Sequence, residues 1–222
     1  MRTVIFDLDG TLADTSGDLI AAANACFLDM GTNVRLDPVA DAGTAMRGAR
    51  AMLRLGLSRV GPVDEAEVDR WYPRLLDAYG QAIAVHTMMY PGAVEAVEAL
   101  RSADARVAIC TNKPERLAET LLAELGVRKL FGALVGADTL PVRKPDAAPY
   151  RAAVDRAGGS VDRSLIVGDT ETDRATARAA GVPCILVGFG PEGRGVARHD
   201  PDAIIGHYRE LGDSVDRLLG AA

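Results

Sequence analysis

The 222-residue sequence is poor in the residues that mark several common kinds of site. It has three cysteines, Cys26, Cys110 and Cys184, and no CxxC pair. This pattern argues against a disulfide framework and against a structural zinc site, and it favours a reducing compartment. The three histidines show no metal-ligand spacing, and no GxxxxGK(S/T) loop or GxSxG turn occurs. GFGPEG (188–193) fits GxGxxG by letter, but Pro191 removes an amide and no helix pattern follows, so no dinucleotide site is predicted.

Long hydrophobic runs and an excess of basic residues are also missing. No stretch approaches the ~20 apolar residues of a membrane span. The 25 basic and 31 acidic residues give a formal net charge of -6, which disfavours binding to nucleic acid or to an anionic membrane. We expect a cytoplasmic protein, a monomer or homodimer, whose partner is a small molecule.

Short apolar runs alternate with amphipathic segments along most of the chain. Their near-continuous hydrophobicity is typical of strands buried on both faces of a parallel sheet. The predicted strands are TVIF (3–6), RVAIC (106–110), ALVG (133–136), SLIVG (164–168) and CILVG (184–188). The predicted helices of this part cover about 92–103, 114–125, 146–157, 171–180 and 207–219. The pattern predicts a doubly wound α/β fold.

One interval, from Thr15 to about Val85, shows only helical periodicity. A crossover between parallel strands needs only about a dozen residues, so this interval is far longer than the topology requires. We interpret residues 16–85 as an all-helical domain inserted into an α/β core made of 1–15 and 86–222. The alternative is a helical hairpin packed on the edge of the sheet.

Polar residues collect at the carboxyl ends of the predicted strands, where ligands bind in such sheets. Asp7 and Asp9 end the first strand, Thr111 ends the second, and Asp169 ends the fourth with Asp173 just beyond. Lys144 precedes the helix after the third strand. Crowded carboxylates repel one another, and hard oxygen ligands favour Mg²⁺ over zinc. The ammonium of Lys144 and the hydroxyl of Thr111 suit phosphate oxygens.

The pair of carboxylates in the first loop suggests covalent catalysis. Asp7 can attack phosphorus and carry the phosphoryl group, which divides one hard displacement into two easier ones. Asp9 can protonate the leaving oxygen and later deprotonate the attacking water. Gly10 and Thr11 permit a tight turn that brings backbone amides close to the phosphate.

Four segments then resemble, in order and spacing, the motifs of the haloacid-dehalogenase-like phosphatases: DLDGTLADT (7–15), CTNKP (110–114), RKPDAAPY (143–150) and GDTETD (168–173). TNK and KPDxxP are most similar to the phosphoglycolate phosphatase branch. The resemblance implies that Asp7 is the nucleophile and that Asp9 is the acid/base. It also implies that Asp7, the carbonyl of Asp9 and Asp169 bind the metal. Gly10, Thr111, Lys144 and the backbone of Asn112 would bind phosphate, Asp173 would orient Lys144 or a metal-bound water, and the insert would be a cap.

Less specific interpretations stay open for single residues. Asp14 and Asp18 are expected to cap a helix, and Cys110 to be a buried structural thiol. Arg47 and Arg50 could reach a substrate carboxylate, although exposed helical arginines are common. Two other functions remain alternatives to a phosphatase: a sugar-phosphate mutase of the same fold, and a receiver-like module that accepts phosphate on aspartate.

Overall fold

A computed structural model describes residues 1–220 of the chain. The described part forms two compact units. One unit is Met1–Ala13 together with the chain from Met89 onward, and the other is Asp14–Met88. The boundaries expected from the sequence, after residues 15 and 85, stay a prediction.

The first unit is built on a sheet of six strands. In chain order the strands of the protein are β1 (Thr3–Phe6), β2 (Ala13–Asp14), β3 (Met88–Met89), β4 (Arg106–Cys110), β5 (Ala133–Val135), β6 (Ser164–Gly168), β7 (Cys184–Val187) and β8 (Ala203–Ile205). The six-stranded sheet has the order β5-β4-β1-β6-β7-β8, and all its pairings are parallel. β2 and β3 form a separate two-stranded sheet.

The strand order reverses beside the first strand. From β1 the chain continues to β4 and β5 on one side, then returns to β6, β7 and β8 on the other. Because such crossovers are right-handed, the two directions place their helices on opposite faces of the sheet. The connections diverge at the carboxyl ends of β1 and β6, which opens a crevice suited to ligands.

Nine α-helices and four short 3-10 segments lie within residues 1–220. The helices are α1 (Ser16–Asp29), α2 (Ala42–Ala45), α3 (Ala49–Ser58), α4 (Glu65–Gln81), α5 (Ala93–Ser102), α6 (Glu115–Glu124), α7 (Ala147–Arg156), α8 (Glu171–Ala180) and α9 (Leu211–Leu219). The 3-10 segments are Arg128–Leu130, Val161–Arg163, Gly193–His199 and Tyr208–Glu210. No described helix is long and apolar enough to cross a membrane.

Helices α7 and α8 cover one face of the sheet. Tyr150, Val154 and Ala177 pack in one buried cluster with Ile5 and Ile166 from the strands. Each large apolar side chain buried in this way contributes about 1.5–3 kcal/mol relative to an exposed one. The packing holds the strand ends, and so the residues that follow them, in fixed positions.

The second unit consists of helices α1 to α4, and here one expectation is wrong. Asp18 is not a helix cap: its buried carboxylate accepts hydrogen bonds from the amides of His86 and Thr87 and from the Thr87 hydroxyl, at 2.7–3.1 Å. Asp14 does accept from the amide and hydroxyl of Ser16 at the start of α1. Asp18 therefore ties the last segment of this unit to its first helix.

The doubly wound parallel α/β fold is confirmed; its six-stranded sheet has one strand more than predicted, and the two-residue strands β2 and β3 were not predicted either. β8 was not predicted, because it has three residues and its middle residue, Ile204, is 39% exposed. The predicted helix 207–219 begins instead at Leu211, after the 3-10 segment Tyr208–Glu210.

Candidate active site

The site is assembled where three neighbouring strands end. In the sheet register Phe6 lies between Ile109 and Val167, so Asp7, Thr111 and Asp169 leave their strands at the same edge. The amide of Asp7 donates to the Val167 carbonyl at 2.9 Å. Backbone pairing thus continues to the first carboxylate and fixes its position.

Lys144 lies between two of the carboxylates. Its Nζ is 3.0 Å from Oδ2 of Asp7 and 2.6 Å from Oδ1 of Asp173, and its side chain is 1% exposed. Burial alone would lower the pKa of this ammonium, but the charges of Asp173 and Asp7 outweigh burial and leave the pKa above its ordinary value. The two neighbouring carboxylates therefore favour the cationic form of Lys144.

Asp173 holds that lysine from the start of α8. Its Oδ1 accepts from Lys144, while Oδ2 accepts from the Thr170 amide at 3.1 Å and the Thr170 hydroxyl at 2.7 Å. Gly168 leaves room for it, since a Cβ there would lie 2.3 Å from the Asp173 carboxyl carbon. Both Asp173 oxygens are thus engaged.

The pKa values of Asp7 and Asp169 are raised above the ordinary value of an aspartate. Burial is the largest cause that raises the pKa of Asp7 to about 6, with Asp173 and Asp9 adding to it and Lys144 opposing it. Burial also raises the pKa of Asp169 well above its ordinary value, followed by the charges of Asp173 and Asp7. The Thr11 hydroxyl, which donates to Asp169 Oδ1 at 2.7 Å, opposes this rise only in part.

This arrangement fits a divalent cation. Oxygens of Asp7, Asp169 and Asp173 all lie within 4.8 Å of one another. They are hard carboxylate donors, which suits Mg²⁺ better than zinc. Because Asp173 already binds Lys144 and Thr170, Asp7 and Asp169 are the carboxylates best placed to serve as ligands.

The loop that carries Asp9 is a tight turn supported from the end of the chain. Gly10 has a φ of 77°, in the left-handed region, and its amide donates to the Ala13 carbonyl. The Tyr208 hydroxyl donates to the Thr11 carbonyl at 2.7 Å. A Cβ at Gly190 would lie 2.8 Å from the Gly10 carbonyl oxygen, so the GFGPEG segment packs against the turn.

One site residue was missed by the sequence analysis. Lys113 is buried, and its Nζ lies 2.8 Å from Oδ1 of Asp9. Its amide donates to the Thr111 hydroxyl oxygen at 3.2 Å, while the Asn112 side chain donates to the Lys144 carbonyl at 3.0 Å. The signal was present in TNK, where a lysine follows two polar residues at a strand end.

Other candidates from the sequence have different surroundings. The Cys110 thiol is fully buried, and burial is the main cause that raises its pKa to about 12, which leaves it a thiol at neutral pH. In the second unit, Arg50 pairs with Asp69 and lies 4.3 Å over the Tyr72 ring, and Arg47 donates to the Thr44 hydroxyl. Arg50 is thus committed to contacts within its own unit.

Comparisons with known proteins agree with this geometry. The model of the haloacid dehalogenase-like hydrolases matches residues 1–181. The chain belongs to this family. It is 38% identical to phosphoglycolate phosphatase of Mesorhizobium japonicum over 99% of this chain and 97% of that protein. It is also 38% identical to phosphoglycolate phosphatase of Agrobacterium fabrum, over 93% and 89% of the two chains.

The fold is also shared with solved structures. A crystal structure of a predicted phosphoglycolate phosphatase from Haemophilus somnus superimposes with a TM-score of 0.83, at 24% identity, and covers 96% of this chain and 97% of that one. The family and the fold that the four sequence motifs indicated are confirmed. The chain is accordingly a hydrolase.

Proposed function

We propose that this protein is a Mg²⁺-dependent phosphatase of a small phosphorylated metabolite, with 2-phosphoglycolate as the best candidate substrate. The observation that carries the proposal is the contact of Lys144 with Asp7, at the end of β1, and with Asp173, at the start of α8. It sets the Lys144 ammonium beside a carboxylate placed to act as nucleophile. The names of the relatives at 38% identity support the substrate.

The proposed reaction has two displacements. The Asp7 carboxylate attacks phosphorus while the bond to the leaving oxygen breaks, and Asp9 gives that oxygen a proton. Asp9 then takes a proton from water as the water oxygen attacks phosphorus, and the bond from phosphorus to Asp7 breaks. Inorganic phosphate and the dephosphorylated metabolite are the products.

The other residues bind and orient. Lys144 and Thr111 would hold phosphoryl oxygens, with Gly10 and the backbone of Asn112 assisting, and Asp173 would keep Lys144 in place. Asp7, the carbonyl of Asp9 and Asp169 would hold Mg²⁺, which would neutralise negative charge on the transferring phosphoryl group. Residues 16–85 would form the cap that selects the leaving group, with 1–15 and 86–222 as the catalytic core.

A phosphate-release assay with and without Mg²⁺ tests the proposal. Wild-type protein should release phosphate from 2-phosphoglycolate in many turnovers, and only with Mg²⁺. Asp7→Asn should abolish turnover and keep the fold, because it removes the attacking charge and preserves the shape. A mutase would give an isomerised product, and a receiver-like module would stop after one phosphoryl group per chain. Substantial activity in the Asp7→Asn variant would exclude the covalent mechanism.

A further inference from the structure

Lys113 forms an ion pair that is distinct from the one at Lys144. Its side chain is 4% exposed, that of Asp9 is 18% exposed, and Nζ lies 2.8 Å from Oδ1. Removing an ammonium from water is costly unless an opposite charge receives it. Lys144 contacts Asp7 and Asp173, whereas Lys113 contacts Asp9. The two carboxylates of the first loop are therefore held by different lysines.

The backbone around Lys113 is held on both sides. Its amide donates to the Thr111 hydroxyl oxygen, and its carbonyl accepts from the Ala137 amide at 2.9 Å. Pro114 follows with its φ at -52°, and α6 begins at the next residue. The lysine stem thus starts from a fixed point at the end of β4, so the ammonium can define where the Asp9 carboxyl group lies.

We propose that Lys113 is a positioning residue for Asp9, the acid and base of the reaction; this inference rests on the proposed function. By donating to Oδ1, the ammonium limits rotation of the carboxyl group, and Oδ2 carries the proton that passes to the leaving oxygen. Proton transfer requires the acid within hydrogen-bond reach of the atom it serves. A displacement of about 1 Å can cost about 100-fold in rate, so the orientation of Asp9 matters.

The dependence of rate on the leaving group separates this role from others. A nitrophenolate departs without a proton, whereas phenolate and alkoxide leaving groups gain progressively more from an acid. Loss of Lys113 should therefore lower kcat/KM most for the poorest leaving groups. A role in binding the phosphoryl group, which is common to all substrates, would lower kcat/KM equally for all of them.

The experiment compares p-nitrophenyl phosphate, phenyl phosphate and 2-phosphoglycolate with Mg²⁺. For Lys113→Met we expect a loss within about threefold for p-nitrophenyl phosphate and of about 100-fold for the alkyl substrate, the lower range for general acid catalysis. Phenyl phosphate should fall between. Lys113→Arg should recover part of the loss, since it restores a donor. Exposed Lys129, in the segment Arg128–Leu130, gives the matched control Lys129→Met, which should match wild type.

Two further variants make the result decisive. Asp9→Asn should show the same steep dependence on the leaving group, and adding Lys113→Met to it should cause no further selective loss. Thermal melting tests whether each variant is folded. If Lys113→Met is not folded, the same kcat/KM values are compared for Lys113→Gln instead.

The outcomes distinguish the two proposals. Absence of phosphate release by wild type from all three substrates overturns the proposed function and this inference with it. An active wild type whose Lys113 variants lose activity equally for all three, or lose none, overturns the positioning role alone. The two aryl phosphates decide the matter even if 2-phosphoglycolate is not hydrolysed.

Discussion

The Lys144→Met substitution tests two roles of the Lys144 charge: stabilising the fold and binding the phosphoryl group. The substitution keeps most of the stem and removes an ammonium that lies 2.6 Å from Asp173 and 3.0 Å from Asp7. Asp173 is fully buried and would remain without its cation. Breaking a buried pair in this way costs about 3–5 kcal/mol, so we expect a loss of that size in the free energy of unfolding.

Adding Asp173→Asn should restore part of that stability. The asparagine removes the stranded charge, and its side-chain oxygen can still accept from Thr170, so at least about 1–2 kcal/mol should return, as in coupled pairs generally. Activity should not return, because the donor to the phosphoryl oxygens is still absent. Losing one such donor costs about 10²–10³ in kcat.

Urea unfolding in EDTA measures the first effect, and phosphate release with Mg²⁺ measures the second. A double variant that is no more stable than Lys144→Met, or that hydrolyses substrate at the wild-type rate, would contradict this prediction. Lys129→Met serves again as the control, because its exposed side chain should leave both quantities unchanged.

Three further predictions concern Asp7, Gly190 and Asp18. Folding raises the pKa of Asp7 from 3.8 to about 6, so burying its ionised form destabilises the protein. As pH rises from below 4 to above 6, the free energy of unfolding of metal-free wild type should therefore fall by about 3 kcal/mol relative to that of Asp7→Asn. Urea unfolding at each pH measures this difference, and a difference that does not change with pH contradicts the prediction. Gly190→Ala should lower kcat through a shift of Gly10, while Gly212→Ala, with nothing within 4 Å of its Cβ, should not. Asp18→Ala should lower the free energy of unfolding by about 1–3 kcal/mol, because it leaves the amides of His86 and Thr87 without an acceptor. Asp14→Ala, at an exposed residue, should lower it less when both are measured by thermal melting.

Much of the fold was accessible from local pattern. Strands buried on both faces are apolar without interruption, so the runs TVIF and SLIVG are predicted as strands from the sequence alone. Once the sheet is parallel, the rule that ligands bind at carboxyl ends brings Asp7 and Asp169 together although 162 positions, 169 minus 7, separate them. These positions follow from the topology and need no knowledge of side-chain contacts.

The features that could not be predicted from the sequence depend on tertiary contacts. A lysine in a loop is by default a solvated residue, and only the folded chain reveals that Lys113 is buried against Asp9. An aspartate in the first turn of a helix reads as favourable to the helix end, yet Asp18 binds amides 68 positions away. The packing of Gly190 on Gly10 likewise has no local signature.

The balance of charge connects these contacts to the proposed cofactor. Asp7, Asp9, Asp169 and Asp173 could carry four negative charges, and Lys113 and Lys144 supply two positive ones. The difference is two negative charges, which equals what one divalent cation would neutralise. Burial, and after it the charges of the neighbouring carboxylates, raise the pKa values of Asp7 and Asp169, so protonation relieves part of this repulsion when no metal is bound. Binding of Mg²⁺ should therefore release protons near pH 6, and isothermal titration in two buffers of different ionisation enthalpy would count them; no release at that pH would mean that these carboxylates do not bind the metal.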